Sequence, residues 1–129
     1  MADDISVLDS TGATQVVRSY ELGGKKHQVV ALPGEYETVA ASQTTQVLGA
    51  TGAAGDYLVG MLVIPATTSP GNVQIKDGSN GAITVFAGGA SSVSNLVPFF
   101  VPLGIRSVQG AWQVTTGSNV SVIGIGEFT

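Results

Sequence analysis

Hydrophobic and polar residues alternate with a period of two along much of the chain. Val73 and Ile75 stand against Asn72, Gln74 and Lys76; Ile83 and Val85 flank Thr84; Trp112 and Val114 enclose Gln113; Val120 and Val122 enclose Ser121. Successive side chains of a strand point to opposite faces, so this alternation predicts half-buried strands. Turn residues interrupt the runs at short intervals: Gly23-Gly24, Ser69-Pro70-Gly71, Asp77-Gly-Ser-Asn-Gly81, Gly88-Gly89, Pro102-Leu-Gly104 and Thr116-Gly-Ser-Asn119. Asp77-Gly78 and Asn80-Gly81 suit the positive-φ positions of a tight hairpin. No stretch of about twelve residues carries an apolar stripe of helical period. Val occurs 18 times and Thr 12 times, both favoured in strands.

Strands are predicted over 45–48, 57–64, 72–76, 82–87, 96–101, 105–109, 112–115 and 119–125. Two more are expected at Gln15–Leu22 and His27–Leu32, joined through Gly-Gly-Lys-Lys. Short strands separated by Gly, Pro, Ser and Asn turns indicate an all-β fold. The expected architecture is an antiparallel β-sandwich, jelly-roll-like, preceded by a short N-terminal β-hairpin or arm; a small barrel is the alternative.

Composition divides this picture in two. The 129 residues include no Cys and 18 Gly, only 11% are charged, and the net charge is −4. Nine of the fourteen charged residues fall in residues 1–37, leaving Asp56, Lys76, Asp77, Arg106 and Glu127 for the rest. The shift around Pro33-Gly34 suggests an N-terminal attachment segment, 1–37, and a β-sandwich domain, 38–129. A soluble domain ordinarily carries about 25% charged residues. The scarcity in 38–129 therefore implies that part of its surface is covered, most simply by other subunits.

Charge and hydropathy also exclude some partners. An acidic chain lacks the clustered cations of a nucleic-acid surface or a basic membrane-binding face. Mean hydropathy is positive, at +0.34, yet the longest apolar runs are interrupted by proline. Tyr57–Ile64 stops at Pro65, and Leu96–Ile105 contains Pro98 and Pro102; a spanning helix needs about 20 apolar residues. The acidic start Met-Ala-Asp-Asp-Ile-Ser lacks a signal-peptide pattern. A soluble protein without an export signal is expected.

Candidate chemistry is sparse. Gly49-Ala-Thr-Gly52-Ala-Ala-Gly55 comes after an apolar run and has the glycine spacing of a dinucleotide-binding turn. Residues 56–64 are rich in Val, Ile and Gly and end at Pro65, so the helix that such a turn requires is not expected. Asp77-Gly-Ser-Asn-Gly81 has a faint likeness to a calcium loop, but Asp77 is the only carboxylate for twenty residues on either side. His27, the single histidine, sits beside Lys25-Lys26 on an apparent strand, and no nucleophile elbow accompanies it. Glu35 and Glu37 share a strand face by spacing, and a solvated or interface face is expected for them. In Leu96-Val-Pro-Phe-Phe-Val-Pro102 the prolines place the segment at a sheet edge. Phe99 and Phe100 then point to opposite faces, one into the core and one toward a second surface. No catalytic residue, cofactor or metal site is expected.

The segments Asp4-Ile-Ser-Val-Leu-Asp9-Ser-Thr-Gly12 and Val16-Val17-Arg18-Ser-Tyr-Glu21-Leu-Gly23-Gly24-Lys-Lys-His27-Gln28-Val29-Val30 resemble a short module at the front of many tailed-bacteriophage virion proteins. Asp56-Tyr-Leu-Val-Gly, Ile64-Pro-Ala-Thr-Thr-Ser-Pro-Gly71, Ile75-Lys-Asp-Gly78 and Ile83-Thr-Val-Phe86-Ala-Gly-Gly89 are similar to segments of phage structural proteins. The resemblance implies a non-enzymatic virion component, most like a capsid decoration (cement) or head-fibre-type protein. It implies attachment to the major capsid protein, or another virion shell protein, in particles assembled in the host cytoplasm. It also implies a homo-oligomer, with a trimer favoured. Candidate interface residues are Arg18, Tyr20, Glu21, Lys25, Lys26 and His27 in the N-terminal segment, with Phe99 and Phe100 in the sandwich. The alternative is a tail or fibre-associated adhesin binding a host surface glycan, with Tyr57 and Trp112 as its aromatic candidates.

Overall fold

The computed structural model describes residues 34–129 in full and the backbone of residues 2–8, 14–22 and 25–28. The chain divides into two compact units, Met1–Leu32 and Pro33–Thr129. In the first, β1 (Ala2–Leu8), β2 (Thr14–Leu22) and β3 (Lys25–Gln28) form an antiparallel sheet in the order β1-β2-β3. Ala2 lies opposite Tyr20 and Leu8 opposite Thr14, while Tyr20 also faces His27 across the β2–β3 ladder. The expected strand at 27–32 is present as far as Gln28, and 29–32 lie outside the described residues.

The second unit is a sandwich of two four-stranded antiparallel sheets. Its strands are β4 (Glu35–Val39), β5 (Gln46–Val47), β6 (Tyr57–Pro65), β7 (Val73–Asp77), β8 (Ile83–Phe86), β9 (Phe99–Arg106), β10 (Trp112–Thr116) and β11 (Val120–Glu127). One sheet has the order β4-β11-β6-β9 and the other β5-β10-β7-β8. The expectation of an all-β sandwich is met.

Two local expectations need correction. Residues 35–37, grouped with the N-terminal segment by their charge, belong to β4 and pair with β11, Glu35 opposite Gly126 and Glu37 opposite Gly124. An edge strand tolerates acidic residues at its margins, which is how Glu35 and Glu37 come to stand in the weakly charged unit. The strands expected at 96–101 and 105–109 are one strand, β9, which runs through Pro102 and Gly104. Gly104 adopts φ +66°, and the β6–β9 register shifts between Leu58 and Gly60. The irregularity carries the chain past a proline that has no N–H to donate. As its prolines require, β9 is an edge strand.

The core lies between the sheets. Leu58, Met61 and Val63 of β6, Val120 and Val122 of β11 and Val39 of β4 meet Val73 and Ile75 of β7 and Trp112 and Val114 of β10. Each such side chain contributes roughly 1.5–3 kcal/mol on full burial. Edge-to-face packing of Phe86 on Phe99, with centroids 5.3 Å apart, closes the β8/β9 side. On the β4/β5 side, Gln46 Nε2 donates to the Thr38 carbonyl at 3.1 Å.

The two outer faces differ in character. On the β5-β10-β7-β8 sheet, Gln113 is paired with Lys76, Thr115 with Gln74, and Gln74 with Thr84. On the other sheet, Ile123, Leu62 and Phe100 form one cross-strand row, and Ile125 lies opposite Tyr36. Phe100 folds over Gly60, where a Cβ would collide with its ring. Replacing Leu58 by Ala should lower unfolding free energy by about 2–5 kcal/mol in denaturant titration, whereas Gln113→Ala on the polar face should change it by less than about 0.5 kcal/mol.

Candidate functional site

The chemistry-bearing residues of the sandwich are two buried aspartates, and both are engaged with backbone. Asp56 is 4% exposed, at the entry to β6. Its carboxylate accepts from Ala53 N at 3.0 Å, Thr129 N at 3.2 Å and Thr129 Oγ1 at 3.0 Å. Its carbonyl accepts from the Trp112 indole Nε1 at 3.0 Å and from Ser107 N at 2.9 Å. Asp77, 8% exposed at the end of β7, accepts from Val108 N and Gln109 N at 2.9 Å and from Gly110 N at 3.2 Å. Successive amides converging on one carboxylate satisfy donors that the β9–β10 connection would otherwise bury unpaired. Among the described residues, no buried side-chain polar atom lacks a partner.

This arrangement decides several sequence candidates. The Asp77-Gly-Ser-Asn-Gly81 loop is the β7–β8 turn, with Asn80 N donating to the Asp77 carbonyl and Gly78 at φ +52°. The carboxylate of Asp77 turns inward to the 108–110 amides instead of outward to a cation. The glycines at 49, 52 and 55 all take positive φ, but they shape the β5–β6 connection and lead into a strand. Gly49 N donates to Glu37 Oε2 at 2.5 Å, while Thr51 and Gly52 N donate to the Thr129 carbonyl. Glu35 accepts from Phe128 N. The paired glutamates, expected on a solvated or interface face, are therefore acceptors that pin neighbouring backbone. The described residues hold no cluster of three potential metal ligands. They include no helix long and apolar enough to cross a membrane.

Of the candidate interface residues, Arg18, Tyr20 and Glu21 lie on β2 and Lys25, Lys26 and His27 on β3. Arg18 is opposite Asp4, Glu21 opposite Lys26 and Leu22 opposite Lys25; their side chains lie outside the described residues. Phe99 and Phe100 diverge as their adjacency requires. Phe99 packs against the core and Phe100 remains 47% exposed. Trp112, an aromatic candidate for glycan stacking, is buried at 3% exposure and bonded to Asp56, so its ring offers no platform. Tyr57 is half-buried beneath the Arg106 guanidinium, 5.1 Å from the ring centroid, and Arg106 Nη1 donates to the Gly55 carbonyl at 2.8 Å.

A surface pocket of about 430 Å³ lies in the connection before β9, lined by Ser92, Ser94, Asn95, Val97, Pro98 and Phe99. Its hydroxyls and amide can hydrogen-bond a neutral ligand, and no charged side chain lines it. Comparison with family models, curated proteins and solved structures returns no match.

The aspartate staples were not foreseen, although a signal was present. In a segment almost without charge, an isolated Asp beside glycine turns marks a site where backbone donors need an acceptor. Asp77→Ala should destabilise the protein by about 2–4 kcal/mol, because three amides lose a charged acceptor. Native-state hydrogen exchange at Val108, Gln109 and Gly110 should accelerate by more than exchange in the β6–β11 ladder.

Proposed function

We propose that this chain is a non-enzymatic phage virion structural protein, a decoration protein that binds an assembled shell multivalently. The observation that carries this proposal is the strand order of the sandwich. Counting from β4, the sheets join first, eighth, third and sixth strands, and second, seventh, fourth and fifth. Such nesting accords with a jelly roll, and jelly rolls recur in viral capsid and lectin domains. Fold alone does not imply function; the likeness of the N-terminal module to phage virion proteins supplies the second support. The commitment of Asp56, Asp77, Glu35 and Glu37 to backbone donors accords with a structural role.

In this proposal the first unit is the attachment element and the sandwich projects from the shell. The partner is the major capsid protein or another shell protein, and three copies gather about a three-fold axis of the virion. Contacts too weak to hold singly become tight when linked copies engage a repeating lattice. A glycan-binding adhesin is the second reading, favoured by the uncharged pocket beside Phe99, where two serines and an asparagine stand among apolar side chains.

Purified chain should co-sediment with empty shells of the parent phage, and deletion of residues 1–32 should abolish that binding while the sandwich remains folded by circular dichroism. The combined Arg18→Glu, Lys25→Glu and Lys26→Glu variant should weaken binding at least tenfold. Shell binding that survives both changes would sink the attachment assignment. Selective retention of one neutral glycan on an array, lost in Asn95→Ala, would favour the adhesin.

A further inference from the structure

We propose that copies of this chain meet through the outer face of the β4-β11-β6-β9 sheet. A face that meets its own like closes at two copies, so this contact joins a pair and is separate from the three-fold gathering on the shell; its biological meaning rests on the structural role above. The association itself belongs to the sandwich and can be measured without shells.

The apolar character of this face runs across β11, β6 and β9; Thr38 ends the central row on β4 and Ser121 stands opposite Ile64. Ile123, Leu62 and Phe100 occupy one row across three strands, Tyr36 and Ile125 pair beside it, and Ile64 extends it along β6. Tyr36 is 71% exposed and Phe100 47%. The opposite face of the sandwich presents Gln74, Lys76, Gln113 and Thr115 at equivalent positions. The same fold therefore supplies a built-in comparison: one outer face has the composition of a solvated sheet and the other does not. An antiparallel sheet that faces water on one side shows the polar pattern. A contiguous apolar patch marks an interaction site.

Charge selects the occupant. The chain carries a net −4, yet the outer face holds no Asp, Glu, Lys or Arg from the row of Ser121 and Ile64 to the row of Tyr36 and Ile125. Arg106 and Glu127 stand together at one margin, both paired with Tyr57. A second acidic copy meets no like-charge juxtaposition over the apolar rows, whereas a partner held by charge complementarity would find nothing there to pair with. Edge pairing is a poor alternative route. On β9, Pro102 removes a donor and Gly104 breaks the regular ladder. On β4, Glu35 and Glu37 carry like charge along the edge, and β5 spans two residues. β8 (Ile83–Phe86) is the one sandwich edge without such a block, and association through it would survive the face substitutions below.

Area sets the strength. Four strands about 4.8 Å apart, paired over some six or seven residues of about 3.3 Å each, present roughly 400–500 Å². Two copies then bury about 800–1,000 Å² in total, at or below the lower limit for a specific contact, so association is weak and depends on concentration. Phe100 is an anchor already in place: its ring rests on Gly60, so little rotamer freedom remains to be lost on binding.

Sedimentation of the full-length chain should show its mass rising above that of the monomer as concentration increases through the micromolar range. Phe100→Glu and, separately, Tyr36→Glu should each raise the midpoint at least tenfold, while Gln113→Glu on the polar face should leave it unchanged. Tyr36 lies on an edge strand and is mostly exposed, so its variant decides the matter if Phe100→Glu does not fold. A wild-type chain that stays monomeric into the millimolar range overturns the proposal. So does association that survives both face substitutions. Self-association without shell binding overturns the decoration role alone; shell binding by a monomer overturns this contact alone.

Discussion

The sandwich depends on what happens at Asp56. Its carboxylate gathers Ala53 N, Thr129 N and the Thr129 hydroxyl, while its carbonyl takes the Trp112 indole and Ser107 N. One residue thus joins the start of β6, the chain beyond β11, the connection leaving β9 and the first residue of β10. β6 and β11 lie in one sheet and β10 in the other, so the interactions tie the two layers at one end. A buried carboxylate without these donors would be costly to desolvate. With them the carboxylate holds the residue in place, and its backbone carbonyl sets the height at which Trp112 enters the core. Asp77 repeats the device from β7, and between them the two aspartates satisfy the amides of residues 107–110.

Fixing the sheets in this way leaves each with one outer face, and those faces have gone different ways. The ladder of β7 and β10 places Gln and Thr against one another, a pattern that water and cross-strand hydrogen bonds can satisfy. The ladder of β6 and β11 places Leu62 against Ile123, and β9 backs Phe100 onto Gly60. Internal folding does not require this difference, because the core is already supplied by Leu58, Met61, Val63, Val120 and Val122. Hydrophobic surface beyond the need of the core is what assembly uses.

Much of this was legible in the sequence, and the misses share a cause. Period-two alternation located β7, β8, β10 and β11 to within a residue or two, and the continuous apolar run Tyr57–Ile64 located β6. Pro98 and Pro102 marked β9 as an edge strand, and adjacency alone separated Phe99 from Phe100. β4 was hidden because Glu35 and Glu37 interrupt the apolar alternation, and their role appears only when Phe128 and Gly49 are brought beside them. Asp56 was one of five scattered charges, and Asp77 stood in a turn with a faint likeness to a calcium loop. Their donors lie 73 and 31–33 residues away in sequence, at Thr129 and Val108–Gly110. Local pattern reports which side of a strand is apolar; it is blind to a carboxylate whose reason lies across the fold.

The low charge of residues 38–129 now has two separate origins. Of the five charged residues in that stretch, Asp56 and Asp77 are inside the protein and Arg106 is laid over Tyr57, which leaves Lys76 and Glu127 to ordinary surface positions. The missing charge on the central rows of the β4-β11-β6-β9 outer face has no such internal explanation. A surface kept free of charge over those rows, beside the proline-interrupted edge strand β9, needs a reason outside the sandwich's own core.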